Sequence, residues 1–163
     1  MFRSIQDFLS VWKYETQSTL KLYQVLNNDV LNVKIYAEGR SILRLAAHIN
    51  ETLTEMTHHA GLNIEENVFE YSSVDELCRH YEKDANLVTD VVAASWADGQ
   101  LEDKITMYGY EWSKGTTLHL LVTHQAHHRG QLTVLMRQAG LKIPGMYGPS
   151  KEEWILYNKE PLR

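Results

Sequence analysis

The chain has one cysteine, Cys78, which excludes an internal disulfide and fits a reducing compartment. With no basic partner assigned to lower its pKa, that thiol reads as a small buried hydrophobe and not as a nucleophile. No apolar run approaches the roughly 18 residues that a membrane span requires, so no membrane partner is expected. There is no basic block to track a phosphate backbone and the net charge is -5, so direct contact with nucleic acid is not expected either. The opening stretch Met-Phe-Arg-Ser-Ile-Gln-Asp-Phe carries Asp7 and lacks the apolar core of a secretory leader, giving the expectation of a soluble, cytoplasmic protein. Two of the three prolines, Pro144 and Pro149, sit with Gly145 and Gly148 in Lys142–Ser150, a rigid turn.

What is present is helix. With 163 residues at 44% hydrophobic, one domain over residues 1–163 can bury its own core. Between Ser4 and Leu26 the apolar positions Ile5, Phe8, Leu9, Trp12, Leu22, Tyr23 and Leu26 fall mostly at helical spacings. A second helix carries Ile42, Leu45, Ile49, Leu53 and Met56, starting near Ser41 and stopping at Gly61. The third opens on Ser73-Val-Asp-Glu76, a capping box in which serine and glutamate satisfy each other's free backbone donors, and Asp98-Gly99 closes it. Leu101–Thr117 is irregular, with short extended pieces and turns. It delivers Tyr108, Tyr110 and Trp112 just ahead of the fourth helix, where a long loop can form one wall of a pocket. The fourth helix runs from about Thr117 to Gln138, stopped by Gly140, and Lys151–Tyr157 reads as a short last helix capped by Ser150 and Glu153. The fold class predicted is all-α, a four-helix bundle with a short C-terminal helix and an irregular loop before helix four.

The chemistry concentrates in the fourth helix, where His119, His124, His127 and His128 account for four of eight histidines. His124 and His128 lie four apart, about 40° from each other on one face, so two imidazoles can share an ion. In a bundle such sites are completed from a facing helix, and His48, on the flank of helix two, is the candidate third ligand. Neutral imidazole suits zinc, nickel, copper and iron, and three histidines leave a coordination position open for water or substrate. The rival reading is a set of hydrogen-bonded core histidines. His124-Gln-Ala-His-His128 lacks the glutamate of H-E-x-x-H, so the zinc-protease signature does not apply. Gln131 returns to the His124 face and is placed to hydrogen-bond a ligand or a ligating histidine. His127 reads as packing or as a donor behind the ligands. Arg129 points away from the site toward an acidic neighbour or a loop carbonyl, and Gly130 calls for a close approach by another backbone or an aromatic ring. His58 and His59 suit the end of helix two, and His80 and His119 read as surface residues. Trp12, Trp112, Tyr147 and Trp154 read as core aromatics, with Tyr147 and Trp154 following helix four closely enough to cap the site.

Taken together, His124-x-x-His-His128-Arg-Gly-Gln131, then Gly140, Pro144, Tyr147-Gly-Pro149 and Glu153-Trp154, with His48 inside Leu45-Ala-Ala-His48-Ile, resemble the DinB family over nearly the whole chain. The resemblance implies a four-helix bundle with an unusual connection, a divalent metal at His48, His124 and His128, and a homodimer. Relatives with this bundle include thiol S-transferases and a mycothiol-dependent maleylpyruvate isomerase. The family name reflects induction by DNA damage, not DNA contact. The expected function is a metal-dependent enzyme of the thiol S-transferase type, or a hydrolase, with zinc or nickel, or iron, as the ion and a low-molecular-weight thiol or small molecule as substrate. The alternative is a non-enzymatic metal- or ligand-binding stress-response protein. No general acid or base is assigned.

Overall fold

The computed structural model describes residues 2–161. Four long helices carry the fold: α1 (Ile5–Tyr23), α2 (Ile42–His59), α3 (Val74–Ser95) and α4 (Lys114–Gln138). Each starts on a serine. The hydroxyls of Ser4, Ser41, Ser73 and Ser113 accept the N–H groups of Asp7, Arg44, Glu76 and Thr116 at 3.0 to 3.3 Å, satisfying one of the orphan donors of each first turn. At Ser73 the reciprocal half of the expected box differs. The Glu76 carboxylate reaches one residue further back, to the N–H and hydroxyl of Ser72, both at 2.8 Å. Ser113 also starts α4 three residues ahead of the expected Thr117. Gly61 and Gly140 follow α2 and α4 at φ of 80° and 84°, the left-handed stop that side chains disfavour.

The irregular stretch before α4 holds an antiparallel hairpin, β1 (Lys104–Met107) with β2 (Tyr110–Ser113), Ile105 opposite Trp112. Its two-residue turn places Tyr108 and Gly109 at positive φ, the geometry that matches the twist of paired strands. Only the last residue of each strand, Met107 and Ser113, is buried, so the hairpin is a flap on the bundle and not part of its core.

The order of helices around the bundle decides where the site forms. The principal contacts are α1 on α3 and α4, and α2 on α3 and α4. Consecutive helices α1 and α2 are therefore diagonal, and so are α3 and α4. The core between them is built from Phe8, Trp12, Leu22, Ile42, Ile49, Leu53, Leu77, Tyr81, Leu118 and Leu132, none more than 1% exposed. Burial of such side chains stabilises by roughly 1.5–3 kcal/mol each.

Two polar clamps fix α4 against its neighbours. Gln125, fully buried, donates to the Ile49 carbonyl (2.9 Å) and the Thr52 hydroxyl (3.1 Å) and accepts from Tyr81 (3.3 Å). On the α1 side Arg129, 1% exposed, ion-pairs with Glu15, 3% exposed, and donates to Thr19 at 3.1 Å. The acidic neighbour expected for Arg129 thus comes from a helix 114 residues away in sequence.

After α4 the chain crosses back over α1 and α4 and ends in a 3-10 turn, Lys151–Tyr157. Glu153 accepts the N–H groups of Ser150 and Gly145, while Arg137 pairs with Glu152 and Tyr14 donates to the Met146 carbonyl. Tyr147 is not core: it is 66% exposed, and its hydroxyl donates to Glu15 (2.8 Å) and accepts from Arg129 (2.7 Å). Trp154 is only half-buried, against Tyr157. His80 is a further correction, half-buried with its ring edge-on to Phe69, centroids 4.1 Å apart. Gly130 faces open space, with nothing within 4 Å of where a Cβ would stand, so no close approach explains it.

Candidate metal centre

Because α2 lies beside α4, the turn of α2 carrying His48 faces the turns carrying His124 and His128. Gln125 sets the register: it holds the carbonyl of Ile49, the residue after His48, from the residue after His124. The result is a convergence of ring nitrogens. His128 Nε2 lies 3.0 Å from His48 Nε2 and 3.1 Å from His124 Nε2, and the three rings meet edge-on with centroids 4.4 to 5.4 Å apart. Among the described residues, no carboxylate or thiolate joins these three in the cluster.

That geometry fits a metal ion. Two nitrogens bound at about 2.0–2.1 Å to one ion stand roughly 2.8 to 3.4 Å apart across octahedral and tetrahedral arrangements, a range that includes the two close pairs. A proton on one Nε2 can bridge only one neighbour at a time, whereas a cation satisfies all three lone pairs. The imidazoles are also held in the neutral, ligating form. Burial and the neighbouring His128 depress His48 to about 4, and burial with His128 and His127 brings His124 to about 4. His128 is lowered as well, by burial, against the hydrogen bond it donates to Gln131, which works the other way. Arg40 adds its positive charge to the depression of all three.

Behind the ligands runs a chain of hydrogen bonds. Gln131 Oε1 lies 2.8 Å from His128 Nδ1, and Gln131 Nε2 lies 3.1 Å from His127 Nε2. With the amide nitrogen donating to His127, the amide oxygen accepts the Nδ1 proton of His128 and leaves its Nε2 lone pair facing the cluster. His127, itself exposed, therefore orients Gln131. His124 has no such support, since its buried Nδ1 has no partner.

Two clefts open on the centre. One, about 730 Å³, lies between the 35–40 loop and α4, and is lined by Tyr36, Arg40, Leu45, His128, Gln131 and Val134 among others. The other, about 410 Å³, lies under the hairpin and is almost wholly apolar, with Met56, Met107, Tyr108, Trp112, Leu120 and His124 in its walls. The loop before helix four thus does form a pocket wall. Tyr108 donates to Glu55 at 2.8 Å, which ties the hairpin turn to α2. Tyr147 and Trp154 line neither cleft, and Tyr147 sits on the α1 side of α4, against Glu15. Sequence reasoning missed Gln125, Arg40 and Tyr36. Gln125 left a signal, a polar residue in the stripe of Leu118, Leu121, Val122 and Leu132, whereas the 35–40 loop has no period to read.

His58 and His59 end α2 as expected, 3.8 and 3.6 Å from Glu66. Cys78 is half-buried, and burial with the nearby Asp75 and Glu82 raises its pKa, the opposite of an activated thiol.

Residues 1–161 match the family described as the DinB family. A Bacillus subtilis (strain 168) protein, YrdA, described as uncharacterized, is 34% identical over 163 residues, covering 98% of both chains. The crystal structure of a DinB-like protein from Bacillus cereus ATCC 10987 superposes with a TM-score of 0.85 at 34% identity, covering 90% of this chain and all of that one. A second DinB-like structure, YjoA of Bacillus subtilis, shares the fold at a TM-score of 0.69 and 19% identity, covering 86% of this chain and 96% of that one.

Proposed function

Since the chain belongs to the DinB family, we propose that it is a metal-dependent enzyme of the thiol S-transferase type, holding a divalent ion through His48, His124 and His128. The observation that carries this reading is the convergence of three neutral Nε2 atoms between two clefts of different character. Three protein ligands are what catalytic sites use, leaving a position for an exchanging group. A bound zinc, nickel or iron ion supplies a Lewis acid that lowers the pKa of a coordinated thiol or water. The protein's own contribution is to hold the imidazoles neutral, to fix the tautomer of His128 through Gln131, and to exclude water on the hairpin side with Met107, Tyr108 and Trp112. The apolar cleft suits a small electrophile and the Arg40 cleft a polar co-substrate. A homodimer in a reducing cytoplasm is part of the same proposal.

A second reading, a non-enzymatic metal- or ligand-binding protein, draws on one observation: no carboxylate joins the three histidines among the described residues, so no general base stands at the centre. Metal analysis of protein purified without a histidine tag, beside His48→Ala and His128→Ala variants, tests the site. The expected result is metal in the parent and none in either variant; equal content in all three overturns it. Metal-loaded protein incubated with bacillithiol, glutathione or mycothiol and monochlorobimane tests the chemistry, and absence of metal-dependent turnover with every thiol favours the second reading.

A further inference from the structure

The larger cleft carries a guanidinium whose charge reaches the imidazoles but which is bound to no anionic partner among the described residues. Arg40 lies on its wall together with His128 of the imidazole cluster, and among the described residues it makes no ion pair or hydrogen bond. The loop that presents it is built, not loose. The Gly39 N–H closes a turn onto the Tyr36 carbonyl at 3.0 Å. A Cβ on Gly39 would stand 3.1 Å from the Tyr36 ring and 3.1 Å from the Tyr36 carbonyl oxygen, so glycine lets that ring fold back over the turn that precedes Arg40. Ile35, Tyr36 and Val134, 54%, 63% and 53% exposed, give the cleft apolar walls around one guanidinium. A guanidinium is a planar fork that fits a carboxylate, and a cation bound at the histidines would draw an anion in the same direction. Glu38, on the same rim, is also unpaired and works against a second negative charge.

We propose that this cleft receives the carboxylate end of a small monocarboxylate thiol, with Arg40 as the residue that selects it. The proposal rests on the reading above that a thiol is brought to the histidine centre. Arg40 acts on binding: it holds the carboxylate at the loop while the apolar walls take the connecting carbons, leaving the sulfur directed inward.

The test uses cobalt-loaded protein, in which a thiol reaching the ion produces a sulfur-to-cobalt absorption. Mercaptopropionate and mercaptohexanoate are titrated beside the matching alcohols, mercaptopropanol and mercaptohexanol. At least one acid is expected to bind about tenfold tighter than its alcohol, the scale of one charge-assisted hydrogen bond in a half-open site. Arg40→Gln brings the affinities of each acid and its alcohol together, and Arg40→Lys retains part of the difference. Equal affinities for acids and alcohols, with the absorption present, overturn the carboxylate subsite and leave the thiol reading standing. Absence of the absorption with every thiol overturns the thiol reading, and the proposal with it.

Discussion

Replacing Gln131 by alanine removes the group that orients His128 without touching a ligand. In the structure the amide oxygen receives the Nδ1 proton of His128 at 2.8 Å, and the amide nitrogen is held by His127 at 3.1 Å. Without that acceptor, His128 is free to carry its proton on Nε2, and the fraction of molecules with all three lone pairs converging falls. Hydrogen-bond partners of ligating histidines are worth about 10- to 100-fold in metal affinity. His128 is 7% exposed as a residue, but its partner chain runs outward through an exposed His127, so water replaces part of the loss and the lower end, about tenfold or roughly 1.4 kcal/mol, is expected. Gln131→Glu should bind metal at least as tightly as the parent, because a carboxylate accepts the same proton and makes the ring more basic. His127→Phe should cost less than Gln131→Ala, since it frees the amide without deleting it. Affinities come from competition with a chromophoric chelator for zinc at pH 7.5, with circular dichroism confirming an unchanged helical fold. Parent-like affinity in Gln131→Ala would refute the orienting role, and loss in Gln131→Glu would refute the direction of the hydrogen bond.

The pH dependence of the metal-free protein follows from His48 and His124, whose folded pKa of about 4 lies below the ordinary 6.5. The unfolded chain binds these protons first, so stability is full above pH 6.5 and declines as pH falls toward 4; denaturant melts across that window should show the decline, and zinc should oppose it. Arg129→Met leaves Glu15 buried without its cation, with only Tyr147 donating to it, and should cost about 3–5 kcal/mol, read as a lowered denaturation midpoint, while Glu15→Leu with Arg129→Met together should cost much less. Gly130→Ala places a methyl group in open space and should stabilise by about 1 kcal/mol; destabilisation would mean that this face is covered in solution, which light scattering would show as a dimer.

Periodicity and end signals determined a good deal without any tertiary information. The serines ahead of α2 and α3, the glycines after α2 and α4, and the four-residue spacing of His124 and His128 are local features, because capping and helical projection depend only on neighbours along the chain. His48 was legible as a flank position, and Gln131 as a residue on the His124 face. The hairpin was legible only as short extended pieces and turns: its strands are four residues each and mostly exposed, so no alternation fixes how they pair.

What only the tertiary structure decided is which helices touch. A periodic stripe states the direction in which a helix buries its side chains, not the neighbour that covers them. The arrangement with α2 beside α4, and not diagonal to it, turns His48 from a half-buried flank histidine into the third member of a cluster. The same arrangement sets Arg129 against Glu15 and Tyr147 on the opposite side of α4, so that one helix carries a buried ion pair on one face and the candidate metal centre on the other. These pairings depend on packing among residues far apart in sequence, where the burial of a whole helix face outweighs any local preference.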